Sequence, residues 1–322
     1  MIDLTKIEYT DVRNEPNGQS PKYWLKIKGE DYLFKANYLH PAQTKTNYGE
    51  MLYTRLSKKL NFASVDSSVA VGEIDGKRTE GVLVKSFFKA GDVEAISLSD
   101  IKMFALKNGV NDAYGNSVKS NIKSAIYFAN ATHRRFDAKK ATLEMYKLAI
   151  VDYFLGQGDR HEHNVEFILN IDGTMRLAPT FDNGHCLDFR QTHFVVKRFM
   201  TEIDDNTRTE KYMGDNVCMT LESHHDDHFR SKHISDDNFI FDLVKLSSHN
   251  KEIKAFISNI LDIDIMQELD DIEQVTNTHI GRDYKRFANE IFKNRCDYFL
   301  SHTSTKDFKS KTTNTLEMDK AF

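Results

Sequence analysis

Gly156-Gln157-Gly158-Asp159-Arg160-His161-Glu162-His163-Asn164, followed by Ala178-Pro179-Thr180-Phe181-Asp182-Asn183, is the stretch on which the reading of this chain turns. Asn164 stands five positions after Asp159, and Asp182 stands 23 after it. Between the motifs, Val165–Leu169 reads as a short strand, Asn170-Ile171-Asp172-Gly173 as a turn, and Met175–Ala178 as a second strand. A hairpin of that kind returns the chain on itself, so Asp182 emerges beside the loop holding Asp159 and Asn164. Three oxygen-bearing side chains then converge. Hard oxygen donors suit Mg²⁺, which also keeps waters and phosphate oxygens in its shell. Taken alone, an Asp and an Asn at this spacing are unspecific, because capped turns and strand ends use the same residues.

Outward from the motifs, residues 1–88 read as a small β-rich lobe. Tyr23–Ile27 and Tyr32–Ala36 flank a turn at Lys28-Gly29-Glu30-Asp31, and Ser68–Ile74 and Gly81–Phe87 flank Asp75-Gly76. Between these hairpins the Leu52, Leu56 and Leu60 spacing predicts a helix over about 48–60. After Lys89-Ala90-Gly91-Asp92 the apolar period becomes helical, at 98–107, 117–130 and 141–156, and again at Phe239–Leu246, Ile253–Leu261 and Tyr284–Leu300. Residues 89–300 therefore form a larger helical lobe carrying the two motifs, and 301–322 a polar tail rich in Ser, Thr and Lys. A cleft between lobes, with its joint near 85–92, is where a ligand is expected.

Composition narrows the class without naming it. The chain has 322 residues, 40% of them hydrophobic and 29% charged, with a net charge of −4, so no general nucleic-acid footprint is visible. Cys186, Cys218 and Cys296 are scattered and form no CxxC pair, which argues against a disulfide framework or zinc knuckle. Met1-Ile2-Asp3-Leu4-Thr5-Lys6 lacks the apolar core of a signal peptide, and no run approaches the roughly 20 apolar residues of a membrane helix. A cytoplasmic address is the expectation, with export by a non-classical route as the alternative.

The two motifs, at their separation, resemble the catalytic and metal loops of the HipA-type serine/threonine kinases. The resemblance is firmest over 145–190, looser over 14–90, and fades after about 215; the length suits a short form without HipA's extra N-terminal subdomain. It implies an α+β, two-lobed protein-kinase-like fold that transfers the γ-phosphate of MgATP to a Ser or Thr hydroxyl of a protein. By this resemblance Asp159 is the catalytic Asp, Asn164 and Asp182 bind Mg²⁺, and His161 to Asn164 line the phosphate site. The family's usual Asn before the catalytic Asp is Gln157 here. Lys35 takes the position of the ATP-binding lysine, and strand alternation puts it on one face with Leu33. Asn17-Gly18-Gln19-Ser20-Pro21-Lys22 resembles the phosphate-covering loop, making Gly18, Gln19, Ser20 and Lys22 nucleotide contacts and Ser20 an autophosphorylation candidate. The backbone of Lys85 and Phe87 is expected at the adenine.

Several residues admit two readings. Glu50 either pairs with Lys35 or closes a capping box in Asn47-Tyr48-Gly49-Glu50. His161, His163 and His185 beside the acids allow a metal hydrolase, although a two-metal site needs more converging ligands. Glu222-Ser223-His224-His225-Asp226-Asp227-His228 reads as a solvated loop, and Tyr284, Phe287, Ile291 and Phe292 as core. Residues 182–215, with Thr192, Thr201, Thr207 and Thr209 among basic residues, would serve as an activation-type segment. Alternatives at the level of function are a lipid or small-molecule kinase and a nucleotide-binding module that signals without catalysis. A toxin–antitoxin partnership does not transfer, because the subdomain HipA uses is not expected here.

Overall fold

The computed structural model describes residues 1–14, 21–37, 44–74, 76–202, 219, 221 and 236–303. Its first sheet contains β1 (Ile2–Asp3), β2 (Thr10–Asn14), β3 (Lys22–Ile27), β4 (Glu30–Ala36), β5 (Ser67–Ile74) and β6 (Lys77–Lys85). The spatial order is β1-β5-β6-β4-β3-β2, antiparallel except where β1 runs alongside β5. The β3–β4 turn sets a register that brings two lysines together. Lys28 (φ 50°) and Gly29 (φ 83°) both take the left-handed region that a two-residue hairpin turn demands. Ile27 therefore pairs with Glu30, and at the far end of the ladder Lys22 pairs with Lys35.

Helix α1 (Thr46–Leu60) crosses between β4 and β5 in the chain. Its Leu52, Leu56 and Leu60 stripe is buried, as the spacing predicts, together with Tyr48 and Tyr53. This face belongs to the large core of the second lobe rather than to the small core of Leu4, Leu25, Phe34, Ala70 and Leu83 within the sheet. α1 is thus a helix of the first lobe in sequence and of the second lobe in packing.

The second lobe holds β7 (Asp92–Ser97), α2 (Leu98–Lys107), α3 (Val118–Ala131), β8 (Arg135–Phe136), α4 (Ala138–Phe154), β9 (Glu166–Asn170), β10 (Thr174–Leu177), α5 (His193–Glu202), α6 (Asp236–His249), α7 (Lys251–Leu261), α8 (Ile265–Thr276) and α9 (Arg282–Ser301). It includes a four-stranded sheet ordered β7-β9-β10-β8. The α+β, two-lobed architecture is the expected one. Tyr284, Phe287, Ile291 and Phe292 are core on α9.

Several local expectations change. β6 ends at Lys85, with the Ser86 N–H still donating to Asp31 O of β4 at 2.9 Å, so the strand stops short of Phe87. Strand β7 was not expected, because Asp92-Val93-Glu94-Ala95-Ile96-Ser97 is an edge strand whose Val93 is exposed and whose hydrophobic alternation is weak. Helix α4 starts earlier, at Ala138, where the Asp137 side chain caps the Lys140 N–H. Helices α5 and α8 were also missed; in α8 the Ile265, Leu269, Ile272 stripe is diluted by acidic residues. Among the described residues, no helix is long and apolar enough to cross a membrane.

Candidate active site

Two backbone contacts bring the second motif under α1. The Val65 N–H donates to Thr180 O at 2.9 Å, and the Thr180 N–H to Ala63 O at 3.0 Å. Glycines complete the approach: a Cβ on Gly49 would lie 2.6 Å from the carbonyl oxygen of Gly184, so no side chain fits between α1 and the loop after Asp182.

With the loop placed, three charged groups meet. Lys35 Nζ donates to Glu50 Oε1 at 2.6 Å and to Asp182 Oδ1 at 2.7 Å. The other Glu50 oxygen accepts the Asn183 N–H at 3.0 Å. Glu50 is therefore not a capping residue. Helix α1 starts at Thr46 after an N-cap, Lys45, that makes no side-chain cap bond, so of the two readings of Glu50 the capping box is not formed and the pairing with Lys35 is. Burial opposes the Lys35 ammonium, but Glu50 and Asp182 outweigh it and hold its pKa above that of an ordinary lysine. Lys35 in turn holds the Asp182 carboxyl well below the usual range, against burial and with help from Lys22 and His185.

Asp182 itself has φ 57°, a left-handed conformation uncommon for a residue with a side chain. It is over-determined from both sides: Gln157 Nε2 donates to its carbonyl at 2.9 Å, and Lys35 holds its carboxylate. Gln157 thus braces Asp182 from the first motif.

Arg160, which sequence reasoning did not single out, ties the two motifs together. It is 1% exposed and donates to Asp152 Oδ2 at 2.9 Å, to Phe181 O at 2.7 Å, to Asn164 O at 3.3 Å, and to Asn183 Oδ1. Tyr53 of α1 adds a hydrogen bond to Asp152 Oδ1 at 2.8 Å. Burial pushes the Asp152 carboxyl up, with Arg160 and Tyr53 opposing. A signal for this group did exist: Asp152 is a lone charge inside the apolar run Leu148–Leu155.

Asn164 is buried, and its Nδ2 donates to Asp159 O at 2.8 Å, which aims Oδ1 away from that bond. Asn164 Oδ1 and Asp182 Oδ2 accept no hydrogen bond from the described residues, so each keeps an oxygen for a hard cation. The Asp159 side chain is 41% exposed at the mouth of the loop, its Oδ2 3.5 Å from His185 Nδ1. His161 and His163 are exposed and meet edge to face at 5.7 Å. Lys102 of α2 steadies this loop by pairing with Glu162 while donating to Gly115 O at 2.9 Å.

On the other side of the cleft, the Phe87 ring stacks on Phe181 at 5.9 Å and on Phe88 at 5.3 Å, over Val65, Val82 and Val84. The Lys85 N–H is committed to Asp66 O at 2.8 Å and its ammonium to Glu30 at 2.8 Å. Of the expected Lys85 contact with a base, only the carbonyl is left. Lys22 stands beside Lys35 by register. Gly18, Gln19 and Ser20 lie outside the described residues, as do Thr207, Thr209, Cys218, the Glu222–His228 stretch and the tail from 304. Among the described residues, no three His, Cys, Asp or Glu side chains gather to hold a metal, so the His-rich hydrolytic centre is not assembled there.

No family model matches the sequence, and no curated protein does. Solved structures do. The chain is similar to the Helicobacter pylori proinflammatory kinase CtkA, with a TM-score of 0.66 and 17% identity over 93% of this chain and 96% of that one. It is also similar to HipA of the Shewanella oneidensis MR-1 toxin–antitoxin system, solved with HipB and operator DNA, with a TM-score of 0.50 and 14% identity over 92% of this chain and 67% of that one. The fold is protein-kinase-like. Lys35 and Glu50 are largely buried, whereas the Asp182 and Asp159 carboxylates are both open to solvent, at 37% and 41% side-chain exposure.

Proposed function

We propose that the chain binds MgATP between its lobes and transfers the γ-phosphoryl group to a Ser or Thr hydroxyl of a protein. The observation that supports this most is the three-way contact of Lys35 on β4, Glu50 on α1 and Asp182, which lies 147 positions beyond Lys35. Lys22 stands opposite Lys35 in the β3–β4 ladder, and both cations favour the Asp182 carboxylate. In this reading they meet the phosphates, Lys35 at the α- and β-phosphate oxygens. Asn164 Oδ1 and Asp182 would hold Mg²⁺, which when bound neutralises charge on the phosphates. Asp159 orients the acceptor hydroxyl and takes its proton as the oxygen attacks the γ-phosphorus and ADP leaves. The apolar Phe87, Phe181, Val65 and Val84 wall suits a base. The sequence resemblance to HipA-type kinases supports the protein acceptor.

The test is incubation with MgATP and mass spectrometry of the chain and of a generic protein substrate. Phosphate gained by wild type and by neither Asp159→Asn nor Asp182→Asn supports the reading. Equal labelling in both variants overturns the site assignment. Nucleotide binding without transfer to any hydroxyl favours a non-catalytic module, and transfer to lipid or small molecules alone redirects the acceptor.

A further inference from the structure

We propose that Glu268, on the far side of α1 from the cleft, is a positioning residue for the nucleotide site. The inference rests on the nucleotide reading of Lys35 and Glu50 and adds what holds Glu50 in place.

Glu268 lies on α8 and is 2% exposed. Its Oε2 accepts from Arg55 Nε at 3.1 Å, and its Oε1 pairs with Lys59 Nζ. Arg55 also donates to Asp271 Oδ2 at 2.8 Å. Arg55 and Lys59 are one turn apart on one face of α1, as Glu268 and Asp271 are on α8. Two cations of one helix are thus clasped by two carboxylates of the other. A buried carboxylate is costly without partners, so Glu268 fixes α1 more firmly than an exposed ion pair would.

The clasp restrains rotation of α1 about its axis and sliding along it, and Glu50 is sensitive to both. A turn of α1 by about 15° moves a group roughly 5 Å from the axis by more than 1 Å. Glu50 has no such slack, with Lys35 Nζ at 2.6 Å and the Asn183 N–H at 3.0 Å. The apolar stripe of Leu52, Leu56 and Leu60 buries α1 but tolerates small rotations, since dispersion contacts are not directional. Charge pairs with fixed geometry add angular restraint at the far face of α1 to that of the Tyr53–Asp152 and Thr54–Val65 hydrogen bonds.

The experiment is a double-mutant cycle read as nucleotide affinity. A non-hydrolysable ATP analogue with Mg²⁺ is titrated into wild type, Glu268→Gln, Glu50→Gln and the double variant. Glu268→Gln is isosteric and leaves Arg55 on Asp271, so the fold has little reason to fail. The expected result is about tenfold weaker binding for Glu268→Gln, and no further weakening when it is added to Glu50→Gln. A purely structural Glu268 would instead give effects that multiply. Lys59→Gln, a largely exposed residue, supplies a second variant and should weaken binding by less. Wild-type affinity in both Glu268→Gln and Lys59→Gln, or multiplying effects, overturns the proposal. If Glu50→Gln binds like wild type, or wild type does not bind, the nucleotide reading of the site itself fails and this inference falls with it.

Discussion

Adding one methyl group at Gly49 tests how finely the cleft is set. An ideal Cβ there lies 2.6 Å from Gly184 O, 3.2 Å from Gly184 C and 3.3 Å from Phe189 Cβ, whereas ordinary contact begins at 3.4 Å. The gap to be found is 3.4 − 2.6 = 0.8 Å, by withdrawal of α1 or of the 182–184 loop. Either movement separates Glu50 from its partners. Stretched by that amount, the Glu50–Lys35 bond goes from 2.6 to 3.4 Å and the Glu50–Asn183 bond from 3.0 to 3.8 Å, beyond good hydrogen-bond range. A charge-assisted bond contributes about 1.5–3 kcal/mol, so affinity for MgATP should fall roughly tenfold to a hundredfold. Stability should change less. Overpacking costs about 1–3 kcal/mol, and the better helix propensity of Ala offsets about 1 of it. Calorimetric titration of an ATP analogue and thermal unfolding of Gly49→Ala read the two effects separately. Wild-type affinity together with a raised unfolding midpoint would refute the reasoning, because the methyl would then be accommodated without displacing Glu50.

Three further outcomes follow from other contacts. Arg160→Met strands the Asp152 carboxylate and should cost about 3–5 kcal/mol in urea unfolding, partly recovered by adding Asp152→Asn; a loss under about 1 kcal/mol would contradict the bridging role. Lys22→Ala removes a cation that favours the Asp182 carboxylate and should weaken nucleotide binding while changing stability by no more than about 1 kcal/mol; unchanged binding speaks against a role for Lys22 at the site. In pH titrations of stability, Asp182 contributes above its unfolded pKa, because its folded value is depressed, and that contribution is lost as pH falls below about 4. Lys35 has a raised folded value, so its contribution is complete below its unfolded pKa and is lost only above about 10.5. The Asp182→Asn difference from wild type should therefore be flat from about pH 8 to pH 9, above the range in which histidines gain charge, and a slope within that window would show that another group is responsible.

What the sequence discloses and what it hides divide along a physical line. Spacing along one strand or helix is legible: the Lys28-Gly29 turn sets the β3–β4 register, and the Leu52, Leu56, Leu60 stripe sets the buried face of α1. The Asp159, Asn164 and Asp182 loops are legible because a short hairpin joins them, so their proximity is nearly local. Glu50 was ambiguous because the same four residues satisfy a capping pattern, and only the position of the Asn183 N–H decides between the two uses. Arg160 gave a weaker signal, since its partners lie on α4 and on the second motif and no periodicity links them.

Glu268 gave none at all. It sits in Glu268-Leu269-Asp270-Asp271, which reads as the solvated face of an acidic helix, while Arg55 and Lys59 read as the solvated face of α1. Two faces that each look fit for water cover one another in the folded chain, and Glu268 is buried as a result. Charge complementarity between helices more than 200 positions apart leaves no trace in either helix alone. The clasp therefore makes a demand on the pair that it does not make on either member. Reversing the charges on both sides, with Arg55→Glu and Lys59→Glu against Glu268→Lys and Asp271→Lys, should restore part of the nucleotide affinity that either reversal alone removes. A fourfold variant no better than the α1 reversal alone would mean that size and shape at this contact, rather than paired charge, hold α1 to α8.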